Sequence, residues 1–167
     1  MKKKELKVVP IIKIIIIFMI CGFIFGILLA FKNNVDHIVV ETNSRFLEKT
    51  IFVFAFNFWF IFLIWQFGKT KGIFLVCYFL VFLKCLFFGI VFITNLKGAN
   101  ILSFLKLFML DLVLLYPLFG VMLYDISLYN FYEQKQLNPD VKIIFYLIWL
   151  IVYSVICGII GSKIWII

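Results

Sequence analysis

The chain has 167 residues, of which 66% are hydrophobic and 14% charged, and its formal net charge is +8. With a mean hydropathy of +1.19, this composition excludes a soluble globular domain, because the few polar residues could not cover a water-facing surface. The positive charge does not indicate nucleic-acid binding, since basic residues beside apolar spans commonly set the orientation of a membrane protein.

Several apolar stretches are long enough to cross the roughly 30 Å hydrocarbon core of a bilayer as helices, which takes about 20 residues each. The connections between them are short, so no loop can hold a soluble catalytic domain. The sequence therefore predicts an all-α, polytopic membrane bundle that forms one membrane domain over residues 1–167. The five predicted spans are Ile11–Phe31, Thr50–Phe67, Gly72–Asn95, Ile101–Tyr129 and Val141–Ile167.

The first stretch is predicted to be a retained helix rather than a cleaved signal peptide. It follows a basic start, but its apolar run is too long for a signal sequence and no small-x-small cleavage site follows it.

The distribution of basic residues predicts that the amino terminus is cytoplasmic, because cytoplasmic segments carry the excess of Lys and Arg. Five crossings then place the carboxyl terminus outside. In this orientation the outer basic residues are Lys32, Arg45, Lys49, Lys97 and Lys163, and the inner ones are Lys2, Lys3, Lys4, Lys7, Lys13, Lys69, Lys71, Lys135 and Lys142.

The fourth stretch contains Pro117, which lacks a backbone donor and crowds the preceding helical turn. A kink or a split near Tyr116–Pro117 is therefore predicted. Neighbouring helices can satisfy the carbonyl that such a proline leaves without its usual partner.

Two opposite charges lie deep inside consecutive spans. Lys84 is about 18 Å from the inner boundary of the third span, and Asp111 about 15 Å from the outer boundary of the fourth. Both positions are near the bilayer centre, where an unpaired charge costs about 3 kcal/mol or more. The sequence predicts an ion pair that fixes helix packing, and the alternative is a proton or ion relay or a substrate site.

The remaining polar positions suggest packing or interfacial roles. Lys106 and Asp125 lie near span ends, where Lys106 can reach the interface and Asp125 can do the same or meet Lys69 or Lys71. Asn57 is expected to hydrogen-bond across helices. Spacings that permit close helix approach occur at Gly22 with Gly26 and at Gly158 with Ser162.

No catalytic group, metal site or cofactor site is predicted. His37 lies near Asp36 and Glu41 in the outer loop, which is too small a ligand set for a metal. The four cysteines fall inside spans without a CxxC spacing, and no nucleophile comes with its base. The cysteines are Cys21, Cys77, Cys85 and Cys157.

The stretch from Asn57 to Ser127 contains Leu63-Ile64-Trp65 with Gly68, Phe82-Leu83-Lys84 with Gly89, and Leu114-Leu115-Tyr116-Pro117. On these and further positions it resembles the stage II sporulation protein M family of endospore-forming bacteria. It departs from the family pattern at Leu110-Asp111-Leu112, which replaces a polar step, at Cys85, which replaces a glycine, and in its shorter first outer loop. The matching residues are Asn57, Leu63-Ile64-Trp65 with Gly68, Gly72, Phe82-Leu83-Lys84 with Gly89, Leu102-Ser103-Phe104, and Leu114-Leu115-Tyr116-Pro117.

The resemblance implies a non-enzymatic scaffold in the cell membrane. Such a protein assembles with stage II sporulation proteins D and P, two cell-wall-degrading enzymes, during engulfment of the forespore. Membrane lipids are then its other partners. One alternative is the membrane substrate-binding component of a small-molecule transporter, whose cavity would be lined by Lys84, Asp111 and Asn57. The other is a protein similar to stage II sporulation protein M that serves another membrane complex in a cell that does not sporulate.

Overall fold

The structure, a computed structural model, describes residues 8–32, 46–97, 101–132 and 139–160. All elements in these ranges are helices, and five of them are long and apolar enough to cross a membrane. This confirms the all-helical prediction with its five candidate spans. The elements are α1 (Val8–Lys32), α2 (Phe46–Gly68), α3 (Leu75–Lys97), α4 (Ile101–Leu110), a π-helical segment (Asp111–Leu115), α5 (Tyr116–Tyr132) and α6 (Pro139–Ile160).

The third helix begins at Leu75 rather than at the predicted Gly72. Gly72 has a φ of +86°, a left-handed conformation that glycine adopts without steric cost. It lies in a tight turn in which the amides of Ile73 and Phe74 both donate to the carbonyl of Thr70 at 3.2 Å. The turn reverses the chain direction, so α2 and α3 are antiparallel neighbours.

Helices α1 and α3 pack with their backbones in close approach. A side chain at Gly22 or Gly26 of α1 would overlap a backbone carbonyl oxygen of α3, on Phe82 or Leu86, and one at Gly89 would overlap a carbonyl of α1. Small residues permit such approach in membrane helices. The second predicted pair is Gly158 with Ser162, and Ser162 lies outside the described residues.

The core lies between α2, α3, α5 and α6, while large apolar side chains also cover the outside of the bundle. Exposed examples include Ile17 and Leu28 on α1, Trp59 on α2 and Phe145 on α6. An outer surface of this kind suits lipid rather than water. The largest apolar side chains that are less than 2% exposed are Ile61, Ile64, Val81, Phe119, Met122, Leu123 and Leu150.

Candidate functional site

The Lys84 side chain lies in the middle of the bundle and is 2% exposed. Its Nζ is 4.6 Å from the ring centre of Phe56 and 5.4 Å from that of Phe60, both on α2. Aromatic faces attract a cation, and the attraction grows when water is excluded. Helix α2 therefore supplies part of the environment that stabilises the buried ammonium group.

Asp111 is the first residue of the π-helical segment and is 6% exposed. Its Oδ1 accepts a hydrogen bond from the hydroxyl of Tyr153 on α6. Lys84 and Asp111 are close enough for their charges to stabilise each other. The structure thus brings the two charges into one region, which we call the central cluster (Lys84, Asp111, Tyr153), and direct ion-pair contact stays a prediction.

The π-helical segment lies immediately before Pro117, where the sequence predicts a kink or a split. The amide of Tyr116 donates to the carbonyl of Asp111, five residues back, which is the π-helical pattern. Pro117 has no amide hydrogen and crowds the carbonyl four residues before it. The wider turn relieves this crowding while the chain stays helical from Ile101 to Tyr132.

Further polar groups surround the central cluster. The thiol of Cys157 is next to Tyr153, and the hydroxyl of Tyr116 is next to the thiol of Cys85. The Tyr116 hydroxyl is buried and has no hydrogen-bond partner among the described residues.

The expectation that Asn57 hydrogen-bonds across helices is wrong. Its Nδ2 donates at 2.9 Å to the carbonyl of Val53, four residues back on the same helix. Its Oδ1 has no hydrogen-bond partner in the described part of the chain. The reason is local, because a buried amide in an apolar helix can reach the carbonyl of the preceding turn without a second helix.

A second polar cluster, the end cluster (Asp125, Lys142, Tyr146), is formed by the second half of α5 and the first part of α6. Oδ1 of Asp125 is 2.9 Å from Nζ of Lys142, and Oδ2 accepts a 2.5 Å hydrogen bond from the hydroxyl of Tyr146. The suggestion that Asp125 meets Lys69 or Lys71 is therefore wrong. Lys142 begins the next span at the same end of the bundle, and this position brings its ammonium group to the Asp125 carboxylate.

Gly68 and Gly89, two glycines of the resembling stretch, lie at helix contacts. The carbonyl of Gly68 accepts a 2.5 Å hydrogen bond from Nδ2 of Asn130 on α5. A side chain at Gly89 would meet the backbone of α1. These glycines therefore position helices rather than bind a ligand.

Lys106 and Cys21 lie outside the central cluster. Lys106 is exposed, and Cys21 is exposed while the other cysteines are free and buried. Within the described ranges no group of three or more potential ligands could hold a metal. The loop group of His37, Asp36 and Glu41 lies outside the described residues.

The sequence reasoning missed the tyrosines Tyr146 and Tyr153. They are about two helical turns apart on α6 and therefore lie on one face. Asp111 and Asp125 are about four turns apart on the fourth span. Paired spacings of tyrosine and aspartate in consecutive apolar spans are the signal that could have located both clusters.

Chemically, the central cluster is an enclosed group of a carboxylate, a hydroxyl and an ammonium inside three helical spans, in which the hydroxyl of Tyr153 donates to Asp111. Such a network can fix helix positions, and in membrane proteins buried ionisable groups also mark proton or ion pathways. A comparison with protein families, characterised proteins and solved structures finds no match to this chain.

Proposed function

We propose that the chain is a multi-pass membrane protein that crosses the cell membrane five times with its amino terminus in the cytoplasm. The five long apolar helices and the apolar side chains on the outside of the bundle support insertion. The excess of lysines at the amino end of α1 supports the orientation.

Fusions at the two ends test this topology. Green fluorescent protein at the amino terminus should fluoresce, and alkaline phosphatase at the carboxyl terminus should be active, because the first folds in the cytoplasm and the second outside. The reverse pattern would contradict the proposed orientation. If both reporters were active when fused in turn to the same end, the protein would not have one fixed topology.

We further propose a non-enzymatic scaffold function, in which the protein organises peptidoglycan-degrading partners of the stage II sporulation D and P type during engulfment. A structural role is supported by the burial of the central cluster. Lys84 is 2% exposed and Asp111 is 6% exposed. A closed network that links α2, α3, the π-helical segment and α6 holds the bundle in one arrangement. The engulfment role itself is supported by the sequence resemblance.

Affinity purification of the tagged protein from membranes of sporulating cells tests the scaffold. Cell-wall hydrolases of the D and P type should be recovered with it. The double variant Lys84→Met, Asp111→Leu tests whether the charges of the central cluster are needed for partner binding. Replacing both charges with apolar side chains preserves packing. If the cluster is only structural, this variant recovers the same hydrolases.

The second candidate is the substrate-binding component of a small-molecule transporter. It is favoured by one observation, a buried carboxylate on a π-helical segment, since such segments occur frequently at functional sites. Recovery of ATPase subunits without hydrolases, together with loss of uptake in the double variant, would support transport and reject the scaffold.

A further inference from the structure

A groove of about 510 Å³ runs along the outside of the bundle between α1 and the fourth span. Its walls are apolar, with Ile12, Ile15 and Met19 on one side and Pro117 and Val121 on the other. The volume falls in the range of small-molecule sites, about 300–1,000 Å³. The groove is separate from the enclosed central cluster and opens to the outside of the bundle, where lipid would be.

The groove is shorter than the full thickness of a bilayer. It begins at Ile12, about two residues inside the span that starts at Pro10, and extends along the fourth span from Tyr124 to Leu112. Twelve helical steps cover about 18 Å, whereas the whole hydrocarbon core is about 30 Å thick. A transmembrane helix of a partner would need a groove across the full thickness, so the dimensions fit the acyl chain of a lipid.

A basic residue, Lys13, lies near the groove at the amino end of α1. Lys13 is exposed and has no ion-pair partner among the described residues, and groove-lining Ile16 lies beside it on the helix surface. Tyr124 lines the same end, and tyrosine is typical of the membrane–water interface. Four further lysines precede α1 in the sequence, at Lys2, Lys3, Lys4 and Lys7. This charge is complementary to an anionic headgroup and not to a zwitterionic one.

The wall of the groove contains Gly120, and an added Cβ at this position would meet no atom within 4 Å. Unlike Gly22, Gly26 and Gly89, this glycine therefore does not serve close helix packing. Its missing side chain widens the groove instead.

We propose that this groove binds one acyl chain of an anionic phospholipid from the leaflet at the amino end of α1, with the headgroup at Lys13. Its far end is formed by Tyr116 and by Leu112, the residue that follows Asp111 in the chain. The acyl chain fills the groove and covers the apolar surface between α1 and α5. This proposal holds independently of the scaffold function, because lipid binding and hydrolase recovery are separate measurements.

Native mass spectrometry of the full chain in detergent tests the site with added phosphatidylglycerol or phosphatidylcholine. The wild type should retain one phosphatidylglycerol more strongly than phosphatidylcholine. Lys13→Gln should weaken phosphatidylglycerol binding about fivefold, with little change for phosphatidylcholine, because one basic side chain near the headgroup is lost. Gly120→Phe should remove both lipids by filling the groove, while Ile148→Phe, at an exposed position on α6 outside the groove, should bind as the wild type does.

Equal retention of the two lipids by the wild type, or unchanged binding by Gly120→Phe, would overturn the proposal. A dimer that Gly120→Phe dissociates would also overturn it, because a second copy of the chain would then occupy the groove. If Gly120→Phe fails to fold, Val121→Trp replaces it, since Val121 lines the groove and is 52% exposed.

Discussion

The central and end clusters contain the same three residue types but differ in their surroundings. In each, a tyrosine of α6 donates to an aspartate of the fourth span, and a lysine supplies the positive charge. Lys84 of the central cluster comes from α3 and is 2% exposed. Lys142 of the end cluster comes from α6, and its side chain is 27% exposed.

The difference indicates that position in the membrane, rather than residue type, decides what such a cluster contributes. Water can replace a lost partner at the end cluster, so an exposed pair there contributes little. At the central cluster no water replaces the partner, and a remaining charge is left buried. We therefore expect equivalent substitutions to have large effects in the centre and small effects at the end.

The largest effect is expected for Lys84→Met, which leaves the Asp111 carboxylate buried without its cation. The loss of stability should be about 3–5 kcal/mol, seen as a low yield of monodisperse protein and a lower melting temperature in detergent. Adding Asp111→Leu should restore most of the yield. A double variant that is worse than either single variant would contradict the predicted ion pair.

A second substitution measures how much the close contact between α1 and α3 contributes to stability, apart from the buried charges. Gly89→Ala should destabilise the protein by about 1–3 kcal/mol, because the added methyl group forces α1 away from α3. Gly120→Ala is the matched control, since its Cβ enters open space. Melting temperatures of the two variants should differ by several degrees, and equal values would show that α1 and α3 are not in close approach.

The two clusters can be compared by the same chemical change, removal of the tyrosine hydroxyl from each. Tyr153→Phe should cost about 1–3 kcal/mol, because Asp111 loses a buried donor. Tyr146→Phe should cost less than about 1 kcal/mol, because water can reach Asp125. Tyr129→Phe, at an exposed tyrosine, is the control. If Tyr146→Phe costs as much as Tyr153→Phe, burial does not separate the clusters.

The sequence was sufficient to predict the helices, because the length of an apolar run reports directly on a span. It also identified Lys84 and Asp111 as a candidate pair, since depth can be counted along consecutive antiparallel helices. The π-helical segment before Pro117 was predicted only as a kink or a split. A proline indicates that the backbone changes but not which hydrogen-bond pattern replaces the regular one.

The partners within each cluster could not be predicted, because they depend on the rotation of each helix about its axis. In a soluble helix an apolar stripe marks the buried face. Here lipid-facing and core-facing residues are both apolar, so no stripe distinguishes them. The partners of Asp125 were not predicted for this reason, and Tyr153 was missed.

The smallest effect is expected for Lys142→Met at the end cluster. Its partner Asp125 keeps the hydrogen bond from Tyr146 and remains partly exposed, so the loss should be about 0–1 kcal/mol. Salt provides the decisive control, because raising it from about 0.1 M to about 1 M shortens the Debye length from about 10 Å to about 3 Å. The wild type and Lys142→Met should then converge in melting temperature, whereas the wild type and Lys84→Met should stay apart. Convergence of both pairs would mean that the central cluster is reached by solvent, and the contrast between the two clusters would be lost.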